Sequence, residues 1–242
     1  MTIGLGNVWT PVSTTGATSL ATGSGTSQAT GSGFVVYVLQ ATGSPAIISL
    51  TDHFGNSYTH IAQVTDGGNR SIDRFYCQGT GGSGQLFTAT ASASTPMSIF
   101  AVELTGAAAS FYDSASPAVI SGFAGPPYSS NSFSASPPSG GEMLLSLLST
   151  EEFSASITYT YPTGWTSVSS ITAGTAGYPA AALAMLAISS SGTQQATGWS
   201  DGSGGSQIAV TLDGFFGATP PAVAYLPFTQ KQVFVNDFNV LF

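Results

Sequence analysis

At 242 residues the chain is long enough for one large hydrophobic core or two small ones, and a 42% hydrophobic content suffices to fill them. Only 6% of its residues are charged, with three Lys and Arg against eleven Asp and Glu and a net charge of −8, where about 25% charged is ordinary. Three cations, Arg70, Arg74 and Lys231, cannot line a phosphate backbone or an anionic lipid surface, so nucleic-acid and membrane binding are excluded as expectations.

The surface must then consist of Ser, Thr, Gly, Asn and Gln. It lacks the lysines that usually guard exposed sheet edges, so edges covered by neighbouring subunits are expected. Met1 to Pro11 shows neither the basic nor the apolar region of a secretory signal, and no run approaches the roughly 18 apolar residues of a spanning helix. Cys77 is the lone cysteine, so no internal disulfide or thiolate cluster forms, and a small buried core residue is its plain reading. Synthesis in the cytoplasm without general secretory export is expected, beside a composition resembling extracellular material.

Residues 13–33 are rich in Ser, Thr, Gly and Ala and read as an extended arm or weak edge strand, too polar to hold itself on a core. From Phe34 the pattern is strand and turn: 34–39, 46–51, 57–64, 71–77, 85–91 and 98–104, with Gly, Pro, Asn or Asp in nearly every gap. Pro117 to Gly140 holds Pro117, Pro126, Pro127, Pro137 and Pro138 and reads as a connection. Strands then follow at 142–148, 156–161, 165–171, 180–188, 194–199 and 207–212. Ala180 to Ile188 suits a helix by propensity, but Pro179 before it and its place opposite Ile72 to Cys77 favour a strand. Lys231 to Phe242 carries Val233, Val235, Phe238, Val240 and Phe242, a terminal strand that either closes the second unit or docks on another subunit.

The strand blocks recur. Gly33 to Leu39 aligns with Gly141 to Leu147, and Leu104-Thr105-Gly106 aligns with Leu212-Asp213-Gly214, both at an offset of about 108 residues. That period is too long for a solenoid repeat and fits a whole small domain. The expected architecture is all-β, two tandem antiparallel β-sandwiches of jelly-roll or immunoglobulin-like type from an internal duplication, spanning 1–116 and 117–242.

Residues that carry chemistry are sparse. His53 and His60 flank Phe54-Gly55-Asn56 with Asp52 adjacent; they would reach one divalent ion only if a hairpin brought them together, and exposed turn residues are the simpler reading. Asp66-Gly67-Gly68-Asn69 and Asp201-Gly202-Ser203-Gly204 read as hairpin turns. Glu151-Glu152 reads as a solvated loop tip, since neighbouring side chains point apart whereas glycoside cleavage needs facing carboxyls. No nucleophile elbow, P-loop or dinucleotide fingerprint is present. A non-enzymatic protein without cofactor or metal is expected. Aromatics at loop positions, Tyr128, Tyr159, Tyr161, Trp165, Tyr178 and Trp199, read either as core filling or, for Tyr161, Trp165 and Trp199, as a stacking surface for carbohydrate.

The stretch Thr51-Asp52-His53-Phe54-Gly55-Asn56-Ser57-Tyr58-Thr59, followed by Gly81-Gly82 and by Ile99 to Gly106 with Glu103-Leu104-Thr105-Gly106, resembles a β-sandwich module of tailed-phage virion proteins and bacterial surface proteins. The likeness covers the first copy, while Tyr161-Pro162-Thr163-Gly164-Trp165 keeps only the Gly-aromatic step. It implies a fold and a place in a particle or surface, and no activity. The expectation is a bacteriophage virion subunit: a capsid decoration or cement protein, head fibre or tail accessory part. Its partners would be copies of itself and the major capsid or tail protein. Its rivals are a tail module binding a receptor or host-surface glycan, and a bacterial surface adhesin.

Overall fold

The computed structural model describes residues 2–28, 31–41, 48–65, 70–116, 119–122, 126–150, 157–172, 179–202 and 208–219. The protein is all-β and antiparallel, with no helix among the described residues. In the first half the strands are β1 (Gly4–Val8), β2 (Val12–Ala21), β3 (Gly25–Thr26), β4 (Ser32–Ala41), β5 (Ile48–Asp52), β6 (Thr59–Thr65), β7 (Arg70–Gly79), β8 (Ser83–Gln85) and β9 (Phe87–Thr105). Then come β10 (Ala107–Asp113), β11 (Ile120–Gly122), β12 (Tyr128–Ser129), β13 (Phe133–Ala135), β14 (Glu142–Thr150), β15 (Thr166–Ile171), β16 (Ala180–Ile188), β17 (Gly192–Gln194), β18 (Thr197–Trp199) and β19 (Ile208–Gly217).

Two large sheets carry the architecture. The first runs β1-β9-β4-β7-β6, with β2 and β5 also pairing with β9; the second runs β10-β19-β14-β16-β15, with β11 beside β19. Counting the backbone strands of each half in chain order, both sheets follow the same order: first, last, second, fourth, third.

The apolar run Phe34 to Leu39 is explained by β4 being buried on both faces. Val35, Tyr37 and Leu39 enter one hydrophobic cluster and Phe34, Val36 and Val38 another, as the two-residue period of a strand requires. On β14, Met143, Leu145 and Leu147 join the first of these clusters while Leu144 and Leu148 face outward clusters. The shared cluster thus lies between the two large sheets and draws on both halves of the chain. The outer face of the first sheet is covered by Trp9, Ile48, Leu50, Phe87, Ala89 and Ala91. The outer face of the second is covered by the small ribbons β12–β18 and β13–β17, through Tyr128, Trp199, Phe133 and Ala135.

Several elements differ from the sequence expectation. Segments 85–91 and 98–104 are one continuous strand, β9; Pro96, which has no amide hydrogen, sits where the β2 pairing shifts register between Thr14 and Ala17, a place where proline costs no ladder bond. The polar arm is not loose. Its strand β2 pairs with β9 of the same chain, Ile3 and Trp9 are buried, and Glu103 clasps the arm by accepting hydrogen bonds from the amides of Asn7 (3.0 Å) and Gln28 (2.7 Å) and from the Ser32 hydroxyl. Backbone pairing and one buried carboxylate hold a segment that lacks large apolar side chains. The chain crosses from the first sheet to the second at Gly106, whose φ of 67° suits glycine, so β10, ahead of residue 116, already belongs to the second sheet.

The alignment of Leu104 with Leu212 also shifts in space. Leu104 faces the cluster between the sheets and Leu212 the outer face. β4 pairs Phe34 with Glu103, whereas β14 pairs Glu142 with Phe216, so the strands that match in sheet order are offset by 113 rather than 108 residues. An odd change of register turns every side chain to the other face.

Candidate functional site

Asp52 is the hub of the Asp-x-x-Gly-Asn-x-Tyr block. Its carboxylate accepts from the amides of Phe54 (3.1 Å) and Asn56 (2.9 Å), from Asn56 Nδ2 (2.6 Å), the Tyr58 hydroxyl (2.8 Å) and Gln85 Nε2 (2.9 Å). Asn56 then bridges to the next turn, donating to the Thr80 carbonyl (2.8 Å) and accepting from the Thr80 amide (2.9 Å). Burial works against the charge on Asp52, but the hydrogen bonds of Asn56, Tyr58 and Gln85 outweigh it and hold the carboxyl below its usual range. A carboxylate so fully engaged has no lone pair aimed at a ligand. The block fastens one end of the first sheet.

The histidines do not converge on Asp52. His53 stacks edge-on against Phe54, with centroids 5.1 Å apart, while His60 on β6 meets Asp73 of β7 at 3.0 Å. Asp73 also accepts from Gln40 (2.9 Å) and Gln63 (3.1 Å), and burial raises its carboxyl despite these bonds. Among the described residues no group of three or more His, Cys, Asp or Glu side chains is arranged to hold a metal ion. Cys77 is buried and faces the cluster with Phe34 and Phe75; burial pushes its thiol up to about 12, which keeps it protonated and unreactive at neutral pH.

Of the three aromatics assigned to sugar stacking, Trp199 has no exposed surface. Its indole donates to Ser146 Oγ (3.1 Å) and its ring fills the cluster of Leu148, Ala182, Ala184 and Val210. The outer layer β12–β18 closes over it, so the stacking role fails for Trp199. Tyr161 lies against that ring at 5.2 Å, half-buried, and Trp165 is half-buried between the two outer clusters. Tyr128 is buried. The segments with Val233, Val235, Phe238, Val240 and Phe242, with Glu151-Glu152, with Asp66 to Asn69 and with Tyr178 lie outside the described residues.

Sequence reasoning missed the polar centre between the large sheets. Arg74 of β7 meets Asp213 of β19 at 2.5 Å, both buried, and the Tyr37 hydroxyl donates to the same carboxylate at 3.2 Å. Burial pushes Asp213 up while Arg74 and Tyr37 pull against it; burial, then the Asp213 charge, drives the Tyr37 phenol well above its ordinary value. The signal was present: Arg74 and Asp213 each interrupt an apolar strand in a chain with few charges. Tyr37, Arg74 and Asp213 are all buried between the sheets, and the contact joins one sheet to the other.

The remaining chemistry is that of the sheet rims. Among the described residues, the last strand at one side of each large sheet is β6 (Thr-His-Ile-Ala-Gln-Val-Thr) or β15 (Thr-Ser-Val-Ser-Ser-Ile). Neither carries a lysine, arginine, aspartate, glutamate or proline. Comparison with protein-family models, curated proteins and solved structures finds no match.

Proposed function

We propose that this chain is a non-enzymatic structural subunit of a bacteriophage particle, a capsid decoration, head-fibre or tail accessory protein that works by subunit contacts. The observation that carries this reading is the pair of rim strands β6 and β15, which hold no lysine, arginine, aspartate or glutamate, the kind of edge that pairs with another chain through main-chain hydrogen bonds. The polar groups support it: the Asp52 hub, the Arg74–Asp213 pair and the Glu103 clasp are each spent on holding the chain together. The shared strand order of the two large sheets supports a duplicated unit, and duplication multiplies contact surface. The terminal segment with Val233, Val235, Phe238, Val240 and Phe242 is a further contact element in this reading.

The test is assembly. Full-length protein and a chain ending at Gln230 are compared for self-association by analytical ultracentrifugation and for binding to particles that lack the protein. The full chain associates and binds, and the truncated chain does neither while keeping its folded signature. Full-length protein that stays monomeric and ignores particles overturns the reading. Glycan binding at Tyr161 and Trp165 is the second reading, favoured by their half-exposed rings beside Tyr159; a glycan array with wild type and Tyr161→Ala decides it.

A further inference from the structure

Glu142 opens β14 with no solvent exposure, and among the described residues no N–H or O–H reaches either of its carboxylate oxygens. The group it faces is another carboxyl, Asp113, the last residue of β10 and itself buried. Both lie over Gly214 of β19: Asp113 is its cross-strand partner, and a Cβ at Gly214 would collide with Glu142 Oε1. Two ionised carboxylates cannot share a dry site without a cation. The arginines of the described residues are elsewhere: Arg70 opens β7 of the first sheet opposite Ala41, Arg74 is held by Asp213 on the opposite face of β19, and the other strands packed here present Gly214, Phe216, Ala187 and Ile188, none of which titrates. Asp113 is anchored, with Oδ1 accepting from the Ala115 amide (2.9 Å) and its carbonyl from the Ser116 amide (3.0 Å).

We propose that Glu142 and Asp113 share one proton, and that this proton is a latch holding the end of β10 on β19, closed in acid and released as the pH rises through neutrality. A carboxyl donating to a carboxylate satisfies both groups at a total charge of one. Loss of the proton leaves two buried negative charges side by side. Burial first, and then the charge and hydrogen bond of Asp113, push the Glu142 carboxyl from 4.5 to about 7, which brings the release into the neutral range. A group whose folded value is raised keeps its contribution below the unfolded value and loses it as pH rises through the folded one. What the latch controls is the rim of the second sheet, because β10 covers the edge of β19 and carries Phe111 and Tyr112, which pack on Phe215 at 5.6 and 5.8 Å. The inference is independent of which assembly the chain enters.

The test follows urea unfolding and amide exchange of β10 in the full chain from pH 5 to pH 8, for wild type, Glu142→Gln and Asp113→Asn. In wild type the folding constant falls by a factor on the order of 50–100 across this range, and exchange at Phe111 to Asp113 accelerates. Each amide variant supplies a permanent donor to the remaining carboxylate, so its profile is flat, and either variant suffices if the other fails to fold. A protonated-carboxyl infrared band present in wild type at pH 5 and missing in Glu142→Gln completes the expected result. A wild type without pH dependence, or a variant that keeps it, overturns the latch. Restoration of wild type at pH 8 by calcium or magnesium chloride also overturns it, because the pair then holds a cation in place of a proton.

Discussion

Arg74 and Asp213 lie 139 positions apart in the chain and meet at 2.5 Å between the two large sheets. One comes from each half, so this contact forms only when the sheets have stacked in a single relative position. Together with Tyr37 it makes the cluster between the sheets selective as well as apolar, since a sliding error would strand a buried charge.

Replacing Arg74 by Met should therefore cost about 3–5 kcal/mol, because Asp213 is left buried without its cation. The double variant Arg74→Met, Asp213→Leu should recover part of that loss. Urea midpoints for the two single variants and the double variant provide the cycle; losses that add would show that the two side chains do not act as a pair.

Asp52→Ala removes the common acceptor of Phe54, Asn56, Tyr58 and Gln85 and should destabilise the protein by on the order of 2–4 kcal/mol. Amide exchange should quicken first at Asn56 and Thr80, on the two turns that Asn56 ties together. Unchanged protection there would refute the hub.

The same residue contributes to the acid limb of stability. Its folded carboxyl lies below 3.8, so its contribution is complete above that value and is lost as pH falls through the folded one. Asp52→Asn should flatten the stability profile below pH 4 while leaving the neutral region, where Glu142 titrates, with its own slope. A variant that steepens the acid limb would contradict this sign.

Chelator should leave the melting temperature unchanged, since His60 is engaged with Asp73 and Asp52 with its own turn. Differential scanning fluorimetry with and without EDTA is the check. A drop restored by zinc or calcium would mean that the histidines hold an ion.

Lysines at Thr166 and Ser170, both exposed on β15, should abolish self-association while shifting stability by no more than about 0.5 kcal/mol. Sedimentation of Thr166→Lys, Ser170→Lys against wild type reads the result. An unchanged oligomer would remove β15 from the contact surface.

The sequence by itself determined the strands whose patterns are local. The stretch Ala180 to Ile188 is a strand over those same residues, and β4, β7 and β14 fall within two or three residues of their expected limits, because alternation and turn chemistry act over a few neighbours. The block from Asp52 to Tyr58 was legible as a turn, since its residues lie within six positions of one another, but its hydrogen bonds were not read from it. What only the tertiary structure decided depends on partners far along the chain. β10 was missed because Ala107-Ala108-Ala109-Ser110 has little strand preference of its own and takes its form from β19. The register of β19, which turns Leu212 outward and Asp213 inward, is set by β14. The burial of Trp199 is set by the outer ribbon, and the meetings of Arg74 with Asp213 and of Glu142 with Asp113 are set by the stacking and pairing of sheets. A strand's pattern states that it has two faces, and the neighbours that cover those faces are chosen by the rest of the fold.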